Sequence, residues 1–473
     1  MSNELRKQLP KEMVSALEEL KKQSEGPLPE TESLARDHCV LPVWFDGKHI
    51  NEILFYEYLL SEQEVKCIHN KFYCIDREIS DNEMDNIIMN VIKSQCTAYL
   101  SSTVERLRKA MKIYCFSDPF PLHEDRIHFR NGTYYLDGRF EKRKEWTRNR
   151  LVVDYNPDAP EPVHWKKFLG ELLHEEEILS LQEFMGYCMI PCNRGQCMLM
   201  IIGRGGEGKS RIGRVLRAIF GHNMNTGSIQ KLENDRFARD DQDGKLLYMD
   251  DDLKTEALPS TNMLKAIVTL EDEIDLEKKG KQSFQGKLYC RLLAFGNGTL
   301  KSLYDRSDGF YRRQLILTTK DKDPNRVDDP YLGDKLRSEA EAIALWCIEG
   351  LKRLIANDFR FTVSERSKVL MEELKEDDDS VLSFLKSKGY VGFEENSYAS
   401  SSKLYRAYLK WCEENLEAPV TGRNFSRRMK ERSEQFGFRY DKNLPGDHSK
   451  TQRGFRGINV KIRTDDYSFG RGS

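Results

Sequence analysis

One stretch limits the possible folds of this chain more than any other: Met198-Leu-Met-Ile-Ile-Gly203-Arg-Gly-Gly-Glu-Gly208-Lys209-Ser210. Leu199 to Ile202 form a short apolar run of the kind that makes a buried strand. Ile212, Val215, Leu216 and Ile219 then recur on one face of a helix. Between strand and helix the chain reads G-x-x-x-x-G-K-S/T. In such a turn the backbone N–H groups and the helix N-terminus cradle phosphates, the lysine reaches the β and γ phosphates, and the hydroxyl holds Mg²⁺. Gly203, Gly205, Gly206 and Gly208 remove the Cβ atoms that would hold a phosphate away from the backbone. A glycine-rich turn that binds nothing has no need of strand, loop and helix in this order. The stretch therefore predicts an α/β core that binds ATP and Mg²⁺ through residues 203–211, with Glu207 and Arg211 flanking Lys209 and Ser210.

Two further apolar runs carry chemistry at their ends. Lys245-Leu-Leu-Tyr-Met-Asp250-Asp251-Asp252 reads as a strand ending in acids. Beside a phosphate loop, one carboxylate holds the Mg²⁺ shell and the next orients the attacking water. Acidic strand ends are also common as solvated turns, and it is the pairing with the loop that favours the metal role. The register stays open between Asp250/Asp251 and Asp251/Asp252, with Asp250 and Asp251 preferred. Leu292-Leu-Ala-Phe-Gly-Asn297 places an amide at a strand tip, where it can meet a γ-phosphate or its water. Asp308-Gly-Phe-Tyr-Arg312-Arg313 sets two arginines before the run Leu315-Ile-Leu, and a guanidinium there can stabilise charge on a neighbouring subunit's phosphate.

At 473 residues the chain has room for about three domains. Net charge is −2, so nucleic-acid binding has to be judged region by region. No apolar run approaches the roughly 20 residues of a membrane helix, and the N-terminus carries no signal-peptide pattern. A cytoplasmic protein without a membrane partner is expected. The cysteines lack CxxC pairs, so reduced buried thiols are expected in place of a zinc site. Residues 1–37 read as a polar arm. Residues 50–60, 84–107 and 165–187 read as helices, 71–76 as a short strand, and Asn131-Gly132 as the turn of a β-hairpin. No catalytic constellation appears before residue 185, and in particular no D-x-D pair for a polymerising primase.

Beyond residue 375 the composition changes again. Residues 373–380 read as an acidic linker, 402–416 as a helix, and 421–432 as a basic helix carrying Arg423, Arg427 and Arg428. Residues 438–462 alternate like two strands joined by a polar wing. Helix, helix and β-wing predict a winged helix. Its clustered arginines and lysines are an electrostatic footprint for DNA, set against the plainer reading of a solvated basic face.

The order Gly203–Ser210, Asp250/Asp251, Asn297 and Arg313 resembles the superfamily 3 helicases, in particular the phage/plasmid primase family of poxvirus type. Arg236-Phe237, Asn131-Gly132, and Asp154-Tyr155-Asn156-Pro157 with Ala159 also match that family's pattern, as do Leu264-Lys265 to Phe284 and Ser307 to Arg313. The resemblance covers roughly residues 125–320. It implies a hexameric ring ATPase moving on single-stranded DNA, 3′ to 5′, during replication of a phage, plasmid or mobile element. It also implies that Lys278, Lys279 and Lys281 sit on a pre-sensor hairpin that contacts DNA, and that Arg313 acts in trans.

The combined expectation is an AAA+-like P-loop ATPase core at 186–370. An N-terminal, mainly helical α+β domain at 38–185 precedes it and a winged helix at 375–465 follows it. The function expected is an ATP-dependent DNA helicase on forked and single-stranded DNA, a homo-oligomer served by a separate primase or polymerase. A nucleotide-switched initiator that melts an origin without processive unwinding is the main alternative. A small-molecule P-loop kinase is a third reading, and it leaves the lysine-rich hairpin and the basic C-terminal segment unexplained.

Overall fold

The computed structural model describes residues 41–462, apart from 255–257, 259, 271–272, 278–281, 300–307, 324, 378, 416, 418 and 446–450. The chain divides into a small unit ending at Ser61 and a larger one from Glu62 onward. In the small unit, Asn51 N–H closes a turn on the Trp44 carbonyl, and Trp44 packs edge-on against Phe55 of helix α1 (Glu52–Glu62).

The larger unit begins with an antiparallel sheet, β1 (Lys66–Ile68), β2 (Lys71–Tyr73) and β3 (Glu78–Ile79). Helices α2 (Asp81–Ile92) and α3 (Leu100–Tyr114) follow. Strands β4 (Arg126–Phe129), β5 (Gly132–Tyr135) and β6 (Phe140–Glu141) make a second antiparallel sheet. This region holds more strand than the expected mainly helical domain. Its strands are too short and too turn-rich to show a period in the sequence. Phe129 pairs with Gly132, so the hairpin turns on Arg130-Asn131, one residue earlier than expected.

Helices α4 (Val163–Leu172) and α5 (Glu175–Tyr187) lead into the central sheet. Strands β7 (Met198–Ile202), β8 (Met224–Thr226), β9 (Leu247–Leu253), β12 (Arg291–Gly296) and β13 (Gln314–Thr318) are all parallel. Their spatial order is β13-β7-β12-β9-β8. Helices α6 (Ser210–Phe220), α7 (Ile229–Asn234), α8 (Arg236–Asp240) and α9 (Asn262–Thr269) belong to the crossovers. The hairpin β10 (Ile274–Leu276) and β11 (Phe284–Gly286) and the short helix α10 (Asp308–Tyr311) complete them.

Strand alternation sorts the sheet residues into two cores. Leu199, Ile201, Met249, Leu293, Phe295 and Leu317 face α4, α5, α6 and α12 (Ala340–Ala356), while α11 (Leu332–Ser338) joins the same layer. Met198, Met200, Tyr248, Leu292, Ala294 and Ile316 face α7, α9 and Phe310. A parallel sheet needs helices on both faces, which explains why its strands read as continuous apolar runs. Burying each of the five large apolar residues of α6, Ile212, Val215, Leu216, Ile219 and Phe220, contributes about 1.5–3 kcal/mol. That helix stops at Gly221, where φ is +54° and a Cβ would meet Val152 at 2.5 Å.

The expected boundary at residue 185 falls inside α5, which is built into the core. Gly186 lies so close to α12 that a Cβ would come within 2.2 Å of the Cys347 carbonyl oxygen. The expected acidic linker is in part the helix α13 (Glu365–Asp377), which follows residues 362–364 onto the second core. The last part comprises α14 (Ser380–Lys386), β14 (Val391–Ser400), α15 (Ser401–Glu414), α16 (Gly422–Glu431), β15 (Arg439–Pro445) and β16 (Thr451–Val460). Its antiparallel sheet has the order β14-β16-β15 and closes a core of its own around Phe384, Leu404, Tyr408, Phe425 and Phe455. Helix α14 and strand β14 were absent from the sequence reading. Among the described residues, no helix is long and apolar enough to cross a membrane. The described cysteines are free thiols, most of them buried.

Candidate nucleotide and nucleic-acid sites

The glycine-rich loop sits at the carboxyl end of β7, between the ends of β13 and β12. Ligands of open α/β sheets bind outside this edge, where the strand order reverses. Gly203 N–H donates to the Gly296 carbonyl at 3.1 Å, tying the start of the loop to the end of β12. A Cβ on Gly203 would stand 2.0 Å from Thr319 Oγ1 and 3.1 Å from Lys209 Nζ, so any side chain there would have to displace both. Gly205, Gly206 and Gly208 have φ of +104°, +84° and +109°, a conformation L side chains rarely adopt. Open space surrounds Gly206, and the Asn297 amide lies 3.7 Å from where a Gly205 Cβ would be. The loop thus forms a cradle that side chains would fill.

Lys209 precedes α6 and is buried, with Nζ donating to Glu207 Oε2 at 2.9 Å. Glu207 Oε1 accepts from Gly205 N–H at 2.8 Å. Burial alone would push the Glu207 carboxyl up, but donation by Lys209 and Gly205 outweighs it and holds the group below the usual carboxylate range. The Glu207 carboxylate therefore rests on the Gly205 N–H and the Lys209 ammonium, two of the donors that the motif offers. Ser210 opens the helix with its side chain exposed. Arg211 donates to the Asp329 carbonyl at 3.4 Å, and Arg326, which the sequence reading missed, donates to the Glu207 carbonyl at 2.9 Å. Arg326 carries no local signal, because it reaches the loop from the far side of β13.

The three acids of β9 separate in the structure. Met249 lies against Gly213 of α6, so it faces the loop's side of the sheet. Asp250 points to the opposite face. There it is buried, with Oδ2 accepting from Ile229 N–H at 2.8 Å and Oδ1 from Asp252 N–H at 3.2 Å. Burial raises its pKa despite these bonds. Asp250 was expected to hold the metal, but here one of its oxygens serves the backbone donor at the start of α7 and the other a donor two residues on in β9. The pairing with β12 explains the change. Ala294 pairs with Asp250 and Gly296 pairs with Leu253, so Asp251 and Asp252 together oppose the single residue Phe295. This is a β-bulge, a device that re-aims side chains beside active sites. Phe295 faces α6, and the two acids opposite it, Asp251 and Asp252, are both exposed, unlike the buried Asp250. Strand β12 separates these acids from the loop, and its tip residue Asn297 lies between them. Among the described residues no preformed cluster of metal-ligating groups exists.

The two arginines before β13 differ from expectation. Arg313 is half-buried and donates to the Gly309 carbonyl, whereas Arg312 is exposed. Arg313, expected to act in trans, thus bonds back onto α10 within its own chain. Strands β10 and β11 supply the arms of the hairpin expected to hold Lys278, Lys279 and Lys281, and those three lysines lie outside the described residues. In the last module, Arg428 is only partly exposed and bonds Asp379 at 3.1 Å, and Arg432 joins the same carboxylate. Asp379 also caps α14 through the N–H groups of Val381 and Leu382. Arg428, expected on DNA, is here paired with an acid 49 positions away, a partner beyond the reach of local pattern. Arg423 and Arg427 are exposed on α16, and Arg439, Lys442 and Arg453 are exposed on the β15–β16 hairpin.

Comparison with known proteins adds two family matches. Residues 47–174 match a family described as D5 N terminal like, and residues 201–313 match a family of unknown function, DUF5906. The chain is similar to the C-terminal region (305–718) of NrS-1 in its apo form. Identity is 12%, over 87% of this chain and 100% of that one, with a TM-score of 0.50. A second apo form of that region, the A form, aligns at 14% identity over 81% and 86% of the two chains, with a TM-score of 0.45. A JCV helicase structure aligns at 15% identity over 48% of this chain and 62% of that one, with a TM-score of 0.27. At these identities the first likeness speaks for the fold alone.

Proposed function

We propose that this chain is an ATP-dependent replicative DNA helicase with an AAA+-like core of superfamily 3 type and a C-terminal winged helix. The observation that carries the reading is the carboxyl edge of the central sheet. A glycine cradle with a buried lysine, an amide at the next strand tip and a bulged acid pair one strand further follow one another there. The match of residues 47–174 to a D5 N terminal like family points the same way.

In this reading the N–H groups of residues 205–209 and Lys209 Nζ bind the β and γ phosphates of ATP, and the Ser210 hydroxyl holds Mg²⁺. Mg²⁺, when bound, neutralises phosphate charge and orders water. Asp251 and Asp252 would help hold the ion and orient the attacking water, while Asn297 would bond the γ-phosphate or that water. Asp250 holds the start of α7. Arg313, or the exposed Arg312, supplies a trans cation in a ring, in the proposed form a hexamer. Lys278, Lys279 and Lys281 grip the DNA backbone in the channel, and Arg423 and Arg427 bind phosphates through the winged helix. The proposed setting is replication of a mobile element, with 3′ to 5′ movement and a separate primase or polymerase partner.

Unwinding of forked DNA with a single 3′ or 5′ tail tests the proposal. ATP-dependent strand displacement on the 3′-tailed fork, absent in Lys209→Ala, is the expected result. Origin melting without fork displacement would instead establish an initiator, and phosphate transfer to a metabolite without stimulation by DNA would establish a kinase.

A further inference from the structure

The position held by Glu207 is a variable one in the loop motif, and phosphate binding makes no demand for an acid there. Its side chain nevertheless turns inward and is only 4% exposed, beside Lys209 at 8%. One oxygen takes the Gly205 N–H at 2.8 Å and the other takes Lys209 Nζ at 2.9 Å. Both bonds are charge-assisted, and together they neutralise a lysine that would otherwise be buried alone, a costly state. The main chain of the same residue is fixed separately, because Arg326 donates to its carbonyl at 2.9 Å. The carboxylate can thus leave while the loop backbone stays in place.

We infer that Glu207 is a built-in stand-in for phosphate that sets how much anionic charge a ligand must bring to enter the loop. The inference rests on the loop being the phosphate site proposed above. A polyphosphate carries more negative charge than the carboxylate, meets more donors and displaces it. A single phosphate offers little advantage over the resident carboxylate and is turned away. Glu207 is therefore a specificity-determining residue for di- and triphosphates, and it shields Lys209 when no nucleotide is present.

Glu207→Gln in the full chain tests this, with pyrophosphate, orthophosphate and ADP as probes, followed by calorimetry and thermal unfolding. The expected result is about tenfold tighter binding of pyrophosphate and ADP, the worth of one charge-assisted hydrogen bond no longer contested. Orthophosphate should raise the Tm of the variant and leave that of the wild type unchanged. Glu207→Asp, whose shorter side chain cannot span both donors, should fall between the two and serves as the second variant if Glu207→Gln does not fold. Unchanged or weaker pyrophosphate binding in a folded variant would overturn the stand-in role. Lys209→Ala separates the two ideas: if wild-type pyrophosphate binding does not depend on Lys209, the site reading itself fails.

Discussion

Exchanging the acids of β9 should separate stability from chemistry. In Asp250→Ala the Ile229 N–H, which belongs to a fully buried residue, loses the carboxylate it donates to at 2.8 Å. An orphaned buried donor costs about 1–3 kcal/mol. The Asp252 N–H, lost at the same time, belongs to an exposed residue and recovers a bond from water. Relief of a carboxylate whose pKa burial raises offsets part of the loss. A net destabilisation of about 1–2 kcal/mol follows, with hydrolysis kept at temperatures where the variant is folded. Asp251→Asn removes an exposed group, so stability should move by less than about 0.5 kcal/mol. Turnover should fall about a hundredfold or more, because the proposed function has this group serve metal and water. Urea unfolding and steady-state ATP hydrolysis on both variants provide the test. Full activity in a folded Asp251→Asn together with loss of activity in a stable Asp250→Asn would refute the bulge argument.

Two more expectations concern proton linkage and the basic module. His128 is pushed down to about 3 and His222 to about 4, both chiefly by burial, against an ordinary value near 6.5. The folded state thus binds fewer protons than the unfolded one. The stability they contribute is complete above about pH 6.5 and falls as pH drops toward the folded values, by about 2 kcal/mol per group at pH 5. Urea midpoints between pH 5 and 7 should show this slope, and His128→Gln should flatten it; an unaltered slope would exclude His128 as a source. In the last module, Arg428→Ala should lower the melting temperature by leaving Asp379 short of a partner. Arg423→Ala with Arg427→Ala should leave Tm unchanged and reduce the salt slope of DNA affinity by about 2. A salt-slope change in Arg428→Ala equal to theirs, with Tm intact, would return that arginine to the DNA face.

What the sequence determined by itself is whatever local chemistry dictates. Gly205, Gly206 and Gly208 announce their turn because L side chains rarely adopt their φ values. The apolar runs of β7, β9, β12 and β13 announce strands because a parallel sheet buried on both faces needs no polar residue. The basic helix α16 declared itself by its charge and period. Only the tertiary structure could divide the three aspartates of β9, because the extra residue of a bulge is defined by its partner strand, here β12. It alone showed that Arg428 answers Asp379 and that Arg326 reaches the loop, since both contacts join residues far apart in the chain. It also turned Glu207 inward, a choice between solvent and Lys209 that a motif position leaves free. Backbone conformation is set within a few residues, whereas the partner of a charge is set by where the fold returns the chain.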